Sequence, residues 1–307
     1  MILFLDILII IACIGGLWFG ANWLVDGSVC VAKKIGVSEL AIGLTVVSMG
    51  TSAPEFAVSI LSALKGHANI SVANVVGSNI FNLGFIMGGV ALIRPIITSE
   101  TIVKRDGSVL IFTTFLLLLI FMDLNLSNWE GMLLICLLVC YILCLFFFKP
   151  TENEEVNPGK FNWYQPVKLV AGLAAILLSS HFMVDSAISI ARTFGISEWV
   201  IGVTIVALGT STPELSTSLV AVLRGHYGLS AGNLIGSDIF NLLGVLGFAG
   251  ALQSLTVSPE AYGSLFLLCG MVVIVVIMMR TGWQISRREG GVLLCIGILR
   301  WVMDFTR

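Results

Sequence analysis

Two six-residue stretches place carboxyl and hydroxyl groups inside sequence that is otherwise apolar. Residues 50–55 read GTSAPE, and residues 209–214 read GTSTPE. Around the first stretch, four polar residues are spaced i, i+3, i+4 and i+7: Ser48, Thr51, Ser52 and Glu55. Around the second stretch the same pattern recurs with Ala207 in the first place: Thr210, Ser211 and Glu214. This spacing puts each set on one face of a helix, where its oxygen atoms could bind a cation.

A proline stands directly before each glutamate, at Pro54 and Pro213. Proline has no backbone N–H to donate and clashes with the preceding turn, so each helix is predicted to kink or break there. Carbonyl groups freed at a break inside a membrane need partners, which a bound cation or a water-lined cavity supplies. Two further i, i+4 pairs add hydroxyl and amide oxygens: Ser78 with Asn82, and Ser237 with Asn241.

The donor atoms of these motifs are all hard oxygens. Ca²⁺ takes about 6–8 oxygen ligands in flexible geometry, whereas Mg²⁺ gives up its waters reluctantly. Zn²⁺ and softer metals recruit nitrogen or sulfur, and the motifs contain neither histidine nor cysteine. Na⁺ is a hard cation that can use the same oxygens. The residue types therefore favour Ca²⁺ and Na⁺.

Helix packing is the alternative explanation of the motifs. Small residues let membrane helices approach closely, which accounts for Gly43, Gly50 and Gly77. Packing does not account for Glu55 and Glu214, because a charged residue near the middle of a membrane costs about 2.5–3.5 kcal/mol on the insertion scale. The glutamates therefore favour a ligand-binding role.

The composition indicates a protein that crosses the membrane several times. Of 307 residues, 57% are hydrophobic and 11% are charged, and the mean hydropathy is +1.03. Soluble domains carry roughly 25% charged residues. The net charge of −2 says nothing about nucleic acid, and no basic cluster suggests nucleic acid as a partner. The apolar N-terminus lacks a basic n-region and an A-x-A-like site, so a first membrane helix is expected there and not a cleaved signal peptide.

The sequence repeats itself at an offset of 159 residues. Residues 25–83 align with residues 184–242 without a gap, and 27 of the 59 aligned pairs are identical. Soluble repeat arrays have periods of roughly 20–50 residues, so a period of half the chain indicates a duplicated unit. The predicted units are residues 1–148 and 166–307, joined by a polar linker at 149–165.

We predict an all-α integral membrane protein with about ten spanning segments. They lie near residues 2–30, 38–64, 70–93, 108–122, 130–148, 166–191, 197–223, 229–252, 261–279 and 290–304. Five spans in each unit turn the second unit upside down relative to the first, which gives the inverted repeat common in transporters. With the N-terminus outside and the linker in the cytoplasm, 12 Lys and Arg residues fall inside and 4 outside, as the positive-inside rule requires.

These paired motifs resemble those of the sodium/calcium exchanger family of calcium/cation antiporters. The resemblance covers both halves and rests on GTSAPE with ANVVGSNIFN at 73–82, and on GTSTPE with GNLIGSDIFN at 232–241. It implies two inverted five-helix repeats around a diamond of cation sites halfway through the membrane. The lack of a large domain in the central loop resembles a prokaryotic member without a regulatory domain.

The resemblance also implies roles for the site residues. Glu55 and Glu214 would bind Ca²⁺ together with Thr51 and Thr210. The flanking Na⁺ sites would be lined by four serines: Ser52, Ser78, Ser211 and Ser237. The middle of the diamond would be formed by Asn82 and Asn241. Some family members have aspartate at the second of these positions, whereas here Asp238 adds a carboxylate three residues earlier, and we expect it to influence the coupling ion.

The function expected from these observations is the exchange of Ca²⁺ for Na⁺ by alternating access in a cell membrane. Protonation of the two glutamates would instead couple Ca²⁺ to H⁺, and a passive cation channel is a third reading. An intramembrane hydrolase would need a nucleophile such as Ser52 or Ser211, but the sequence has no H-E-x-x-H or G-x-S-x-G motif. Beyond the transported ions and lipid, the sequence suggests no cofactor and no obligate protein partner.

Overall fold

The computed structural model describes residues 2–147, 164–195 and 207–305, which are helical apart from four two-residue strands and short connections. Seven of the described helices are long and apolar enough to cross a membrane, and a bent pair, Glu39–Thr51 with Ala53–Leu64, makes an eighth span. The predicted all-α membrane fold is confirmed. The count of ten spans stays a prediction, since residues 196–206 lie outside the described residues.

The first half of the chain begins with the long helix α1 (Ile2–Ile35). The remaining α-helices of this half are α2 (Glu39–Ile42), α3 (Ser48–Thr51), α4 (Ala53–Leu64), α5 (Ala68–Phe81), α6 (Gly88–Ile93), α7 (Ser108–Ile120) and α8 (Asn128–Phe147). Three π-helical segments and one 3₁₀ turn continue these helices: Gly43–Val47, Asn82–Met87, Ile102–Gly107 and Phe121–Asp123. The strands are β1 (Ile96–Ile97) and β2 (Asn125–Leu126).

The second half follows the same order where it is described. Its α-helices are α9 (Gln165–Thr193), α10 (Ala207–Thr210), α11 (Thr212–Leu223), α12 (Tyr227–Ile239), α13 (Leu246–Leu252), α14 (Ala261–Arg280) and α15 (Arg287–Phe305). A π-helical segment, Phe240–Val245, joins α12 to α13, and the strands are β3 (Leu255–Thr256) and β4 (Gln284–Ile285). Most of the predicted linker, residues 149–163, lies outside the described residues, so the boundaries of the two units remain predictions.

The fourth span begins six residues earlier than the sequence predicts. It starts at Ile102 and not at residue 108, and so includes three charged residues. The side chain of Arg105 donates to both carboxylate oxygens of Asp106, at 2.8 and 3.1 Å, and the Tyr141 hydroxyl donates to the same carboxylate. Because the buried Asp106 charge is paired and hydrogen-bonded, the helix can carry it below the membrane surface.

The strand pairs show that equivalent helices of the two halves run in opposite directions. β1 precedes α7 and pairs with β4, which follows α14. β2 follows α7 and pairs with β3, which precedes α14. The start of α7 therefore lies beside the end of α14, and the reverse, so the repeat is inverted as predicted.

The most buried helices lie at the centre of the bundle. Of the most apolar 18 residues in each span, 89% are buried in Tyr227–Leu252 and 72% in Ala68–Ile93, against 22% in Leu3–Ile35 and in Gln165–Thr193. The long helices α1 and α9 thus lie at the periphery, and they pack along each other. The spans that carry the second sequence motif of each half form the core.

Glycines set the distance between the two halves in the core. A Cβ atom at Gly232 would lie 2.7 Å from the Leu40 carbonyl oxygen and 3.1 Å from the Cα atom of Gly43. At Gly236 it would lie 2.6 Å from the Cα atom of Leu44. Main-chain atoms cannot move aside as a flexible side chain can. The close approach of α12 to the Gly43–Val47 segment therefore requires residues without a side chain at these contact positions.

We expect Gly232→Ala to destabilise the protein by about 1–3 kcal/mol, as overpacking of a tight contact does. Thermal unfolding in detergent would measure the loss. The matched control is Gly270→Ala, because a Cβ there would meet no atom of the described residues within 4 Å. Equal melting temperatures for the two variants would contradict this account of the crossing.

Candidate functional site

The motif helices break at the serine that precedes each proline. Ser52 lies between α3 and α4 with φ −79° and ψ 11°, and Ser211 lies between α10 and α11 with φ −90° and ψ 5°. Each proline then stands in the first turn of the following helix, where its missing N–H is tolerated. In the first half the two segments are bent by 50°. The predicted breaks are confirmed.

Each broken helix contacts the glutamate of the other half. The Ser52 hydroxyl donates to Glu214 Oε1 at 2.9 Å, and the Ser211 hydroxyl donates to Glu55 Oε1 at 3.2 Å. Both glutamates are buried, with exposed fractions of 1% or less. The two motifs therefore meet and form a single site between the halves.

Hydroxyl groups surround this pair of carboxylates. The Thr51 hydroxyl lies 3.1 Å from Asn233 Oδ1 and 3.2 Å from the Ser48 carbonyl oxygen. Thr51 and Ser237 also interact with the Glu214 carboxylate, as Thr210 does with that of Glu55. These hydroxyls add neutral oxygens around the two charges.

Three asparagines and one aspartate form the middle of the site. Asn82 Nδ2 donates to Asp238 Oδ1 at 3.0 Å, and Asn241 Nδ2 donates to Asn79 Oδ1 at 3.0 Å. Asn79 in turn donates to the main-chain oxygen of Asp238 at 3.1 Å. Each hydrogen bond connects the two halves, so this part of the site also belongs to both repeats.

Five oxygens at the site are buried and have no hydrogen-bond partner among the described residues. They are Glu55 Oε2, Glu214 Oε2, Asp238 Oδ2, Asn82 Oδ1 and Asn241 Oδ1. All five are acceptors, and leaving a buried carboxylate oxygen unpaired is costly. A donor or a cation must satisfy them, and the number and hardness of the oxygens fit Ca²⁺ or Na⁺.

The structure brings the predicted site residues together inside the protein. Eleven of the twelve are buried: Ser48, Thr51, Ser52, Glu55, Ser78, Asn82, Ser211, Glu214, Ser237, Asp238 and Asn241. Thr210 is half-buried. Three serines direct their hydroxyls to main-chain oxygens: Ser48 to the Thr45 carbonyl, Ser78 to that of Asn74 and Ser237 to that of Ser48. These hydroxyls would have to rotate to bind an ion.

The sequence analysis missed a pair of asparagines that hold the glutamate helices. Asn74 Nδ2 lies 3.3 Å from the Glu55 carbonyl oxygen and 2.9 Å from Ser59 Oγ. Asn233 Nδ2 lies 3.4 Å from the Glu214 carbonyl oxygen and 2.9 Å from Ser218 Oγ. All four residues are identical between the repeats, which was the available signal. They fix each glutamate through its main chain.

Carboxylates alone cannot complete the ligand shell. Within residues 2–147, 164–195 and 207–305, no three His, Cys, Asp or Glu side chains cluster as a metal site. Amide, hydroxyl and main-chain oxygens must therefore contribute. The π-helical segments beginning at Asn82 and Phe240 adjoin the site, and such segments leave helical carbonyls less regularly bonded and are frequent at functional sites.

An inverted repeat in the membrane, with a buried oxygen site shared by its halves, is the architecture of a secondary ion transporter. The family model described as sodium/calcium exchanger protein matches residues 5–147 and 164–299. The chain belongs to this family, which is a family of exchangers and not of enzymes. The resemblance inferred from the motifs is thereby confirmed.

Curated relatives are similar to the chain over nearly their whole length. The putative antiporter CaxA of Alkalimonas amylolytica is 36% identical, covering 90% of this chain and 91% of the relative. The sodium/calcium exchanger MaX1 of Methanosarcina acetivorans is 33% identical, covering 93% and 94%. Among solved structures, the sodium-calcium exchanger NCX_Mj superimposes with a TM-score of 0.87 at 30% identity, covering 99% of this chain and 100% of that one. These similarities support a cation/Ca²⁺ antiporter.

Proposed function

We propose that the protein exchanges Ca²⁺ for Na⁺ across a cell membrane by alternating access to the site between its halves. The observation that carries the proposal is the group of five buried oxygens around Glu55 and Glu214 that have no hydrogen-bond partner among the described residues. Two carboxylates match the charge of one Ca²⁺. The names of MaX1 and NCX_Mj, both sodium/calcium exchangers, support Na⁺ as the exchanged ion.

We assign Ca²⁺ to the two glutamates and the two threonines, Thr51 and Thr210. The cross-repeat bonds support this assignment, because they bring both carboxylates to one place although like charges repel. A divalent cation offsets that repulsion, and monovalent ions can do so only in greater number. Na⁺ and Ca²⁺ therefore compete for the same oxygens, which is the physical basis of exchange.

The flanking serines and the central asparagines complete the proposed ion sites. Ser52 and Ser211 donate hydrogen bonds to the glutamates. A Na⁺ ion bound beside either glutamate could therefore be coordinated by the neighbouring serine hydroxyl oxygen after only a small movement. Ser237 lies near the Ser48 carbonyl oxygen at 3.5 Å, and Ser78 occupies the equivalent position of the first half. Asn82 and Asn241 supply the carbonyl oxygens in the middle.

Uptake of ⁴⁵Ca²⁺ into proteoliposomes tests the proposal. Vesicles loaded with Na⁺ should accumulate ⁴⁵Ca²⁺ when diluted into Na⁺-free buffer, and vesicles with equal Na⁺ on both sides should not. Uptake driven by an imposed pH gradient, with no effect of Na⁺, would establish the H⁺-coupled alternative. Single-channel currents in planar bilayers would establish a passive channel. Either result would refute Na⁺-coupled exchange.

The proposed orientation places the N-terminus outside and the linker at 149–165 in the cytoplasm. A single cysteine introduced at residue 153, in a variant without the seven native cysteines, should react with an impermeant maleimide only from the cytoplasmic side. A cysteine at Asn125, which follows the fourth span, should react only from outside. The cysteine-free parent is the control, and labelling of both positions from one side would contradict the proposed orientation.

A further inference from the structure

Asp238 departs from the symmetry of the site, since its equivalent in the first half is Asn79. Asp238 is fully buried, and its Oδ1 atom accepts the amide of Asn82 from the other half. Asn79 makes the equivalent contact with Asn241. Residues 79 and 238 therefore play equivalent roles in the two halves, because each accepts a hydrogen bond from the central asparagine of the opposite repeat.

These contacts decide which way the two central amides point. Asp238 Oδ1 accepts the NH₂ group of Asn82 at 3.0 Å, so Asn82 turns its own Oδ1 away from Asp238. Asn82 Oδ1 is one of the buried oxygens that have no partner within the described ranges. The carboxylate thus leaves this oxygen to an ion.

The main chain of the same residue orients the other amide. Asn79 donates its NH₂ group to the Asp238 carbonyl oxygen, which turns Asn79 Oδ1 toward Asn241. Asn241 must then donate its own NH₂ group, and its Oδ1 is left without a partner in the described part of the chain. Both central carbonyl oxygens are therefore oriented by contacts that begin at residue 238.

We propose that Asp238 is a positioning residue: through Asn82 and Asn79 it directs the carbonyl oxygens of Asn82 and Asn241 at the transported ion, and it does not bind Ca²⁺ itself. This inference rests on the proposed function. The Asp238 side chain accordingly acts on Ca²⁺ affinity through the orientation of its neighbours.

Two substitutions separate the hydrogen bond from the charge. Asparagine at this position keeps an oxygen that can accept from Asn82, as Asn79 does for Asn241, whereas alanine does not. Asp238→Asn is expected to keep the Ca²⁺ Kd within about threefold, because its amide oxygen can still accept the hydrogen bond from Asn82. Asp238→Ala is expected to weaken Ca²⁺ binding about tenfold, the effect of losing one hydrogen bond that orients a ligand.

A double-mutant cycle with Asn82 tests whether Asp238 affects Ca²⁺ affinity through the Asn82 amide. In purified protein that carries Asn82→Ala, the further change Asp238→Ala should leave the ⁴⁵Ca²⁺ Kd unchanged, because the amide it orients is gone. A full additional loss there, or an Asp238→Asn defect as large as that of Asp238→Ala, would make Asp238 a direct Ca²⁺ ligand and overturn the inference.

Two controls keep the outcome interpretable. The size-exclusion profiles of Asp238→Asn and Asp238→Ala should match that of the parent, which shows that the change at 238 does not prevent folding. Failure of the parent protein to bind ⁴⁵Ca²⁺ would refute the proposed function, which is a different result from unaltered binding by Asp238→Ala.

Discussion

Replacing Glu55 or Glu214 with glutamine is expected to abolish Ca²⁺ transport. Each change removes one of the two charges that oppose Ca²⁺ in a buried site, where charges are weakly screened. Glutamine also places an NH₂ group where a carboxylate oxygen faces the ion. We expect ⁴⁵Ca²⁺ uptake by either variant to fall at least about a hundredfold, since losing a charged partner in such a site costs about 3 kcal/mol or more.

The two substitutions should impair the binding and transport of Ca²⁺ without disturbing the fold. Glutamine keeps the volume of the side chain and can still accept the hydroxyl of Ser211 or Ser52, so size-exclusion profiles should match those of the parent. The control is Glu100→Gln, whose side chain is 57% exposed and pairs with Lys104. Near-normal uptake by either site variant would remove the glutamates from the proposed Ca²⁺ site.

The second large effect is expected from Asn233→Ala. Asn233 is buried and contacts three groups: the Glu214 carbonyl oxygen, the Ser218 hydroxyl and the Thr51 hydroxyl. Removing it leaves buried polar groups without a partner, at about 1–3 kcal/mol each. We expect Ca²⁺ affinity to fall by about tenfold or more, because Glu214 and Thr51 lose their common support.

Calorimetric or ⁴⁵Ca²⁺ binding to the purified variant measures that loss. Asn69→Ala is the matched control, since this side chain accepts one hydrogen bond at the exposed end of α5. Asn74→Ala removes the equivalent support of Glu55 and should lower the affinity in the same direction. An unchanged Kd in Asn233→Ala would show that main-chain support of the glutamate is dispensable.

The sequence allowed the repeat and the inverted topology to be predicted, and it selected twelve candidate site residues whose role in ion binding stays a prediction. Helical spacing placed Thr51, Ser52 and Glu55 on one face, and the prolines located the break at that face. These features depend on residues a few positions apart, or on identity at a fixed offset. Both can be recognised in one sequence.

The contacts between the halves could not be predicted in this way. The spacing shows that Ser52 faces the same side as Glu55, but the structure gives its hydrogen bond to Glu214. That partner depends on how closely the helices cross, which Gly43 and Gly232 set through main-chain contacts. The early start of the fourth span depends similarly on Tyr141, a residue of another helix that bonds Asp106.

The two strand pairs have a mechanical consequence for α7 and α14. One pair joins Ile96 to Ile285 at one end of these helices, and the other joins Asn125 to Thr256 at the opposite end. A shift of one strand residue, about 3.3 Å, would change both registers and turn the strand side chains to the opposite face. The strand pairs therefore resist sliding of α7 along α14, and we expect the movement proposed for alternating access to take place in other helices.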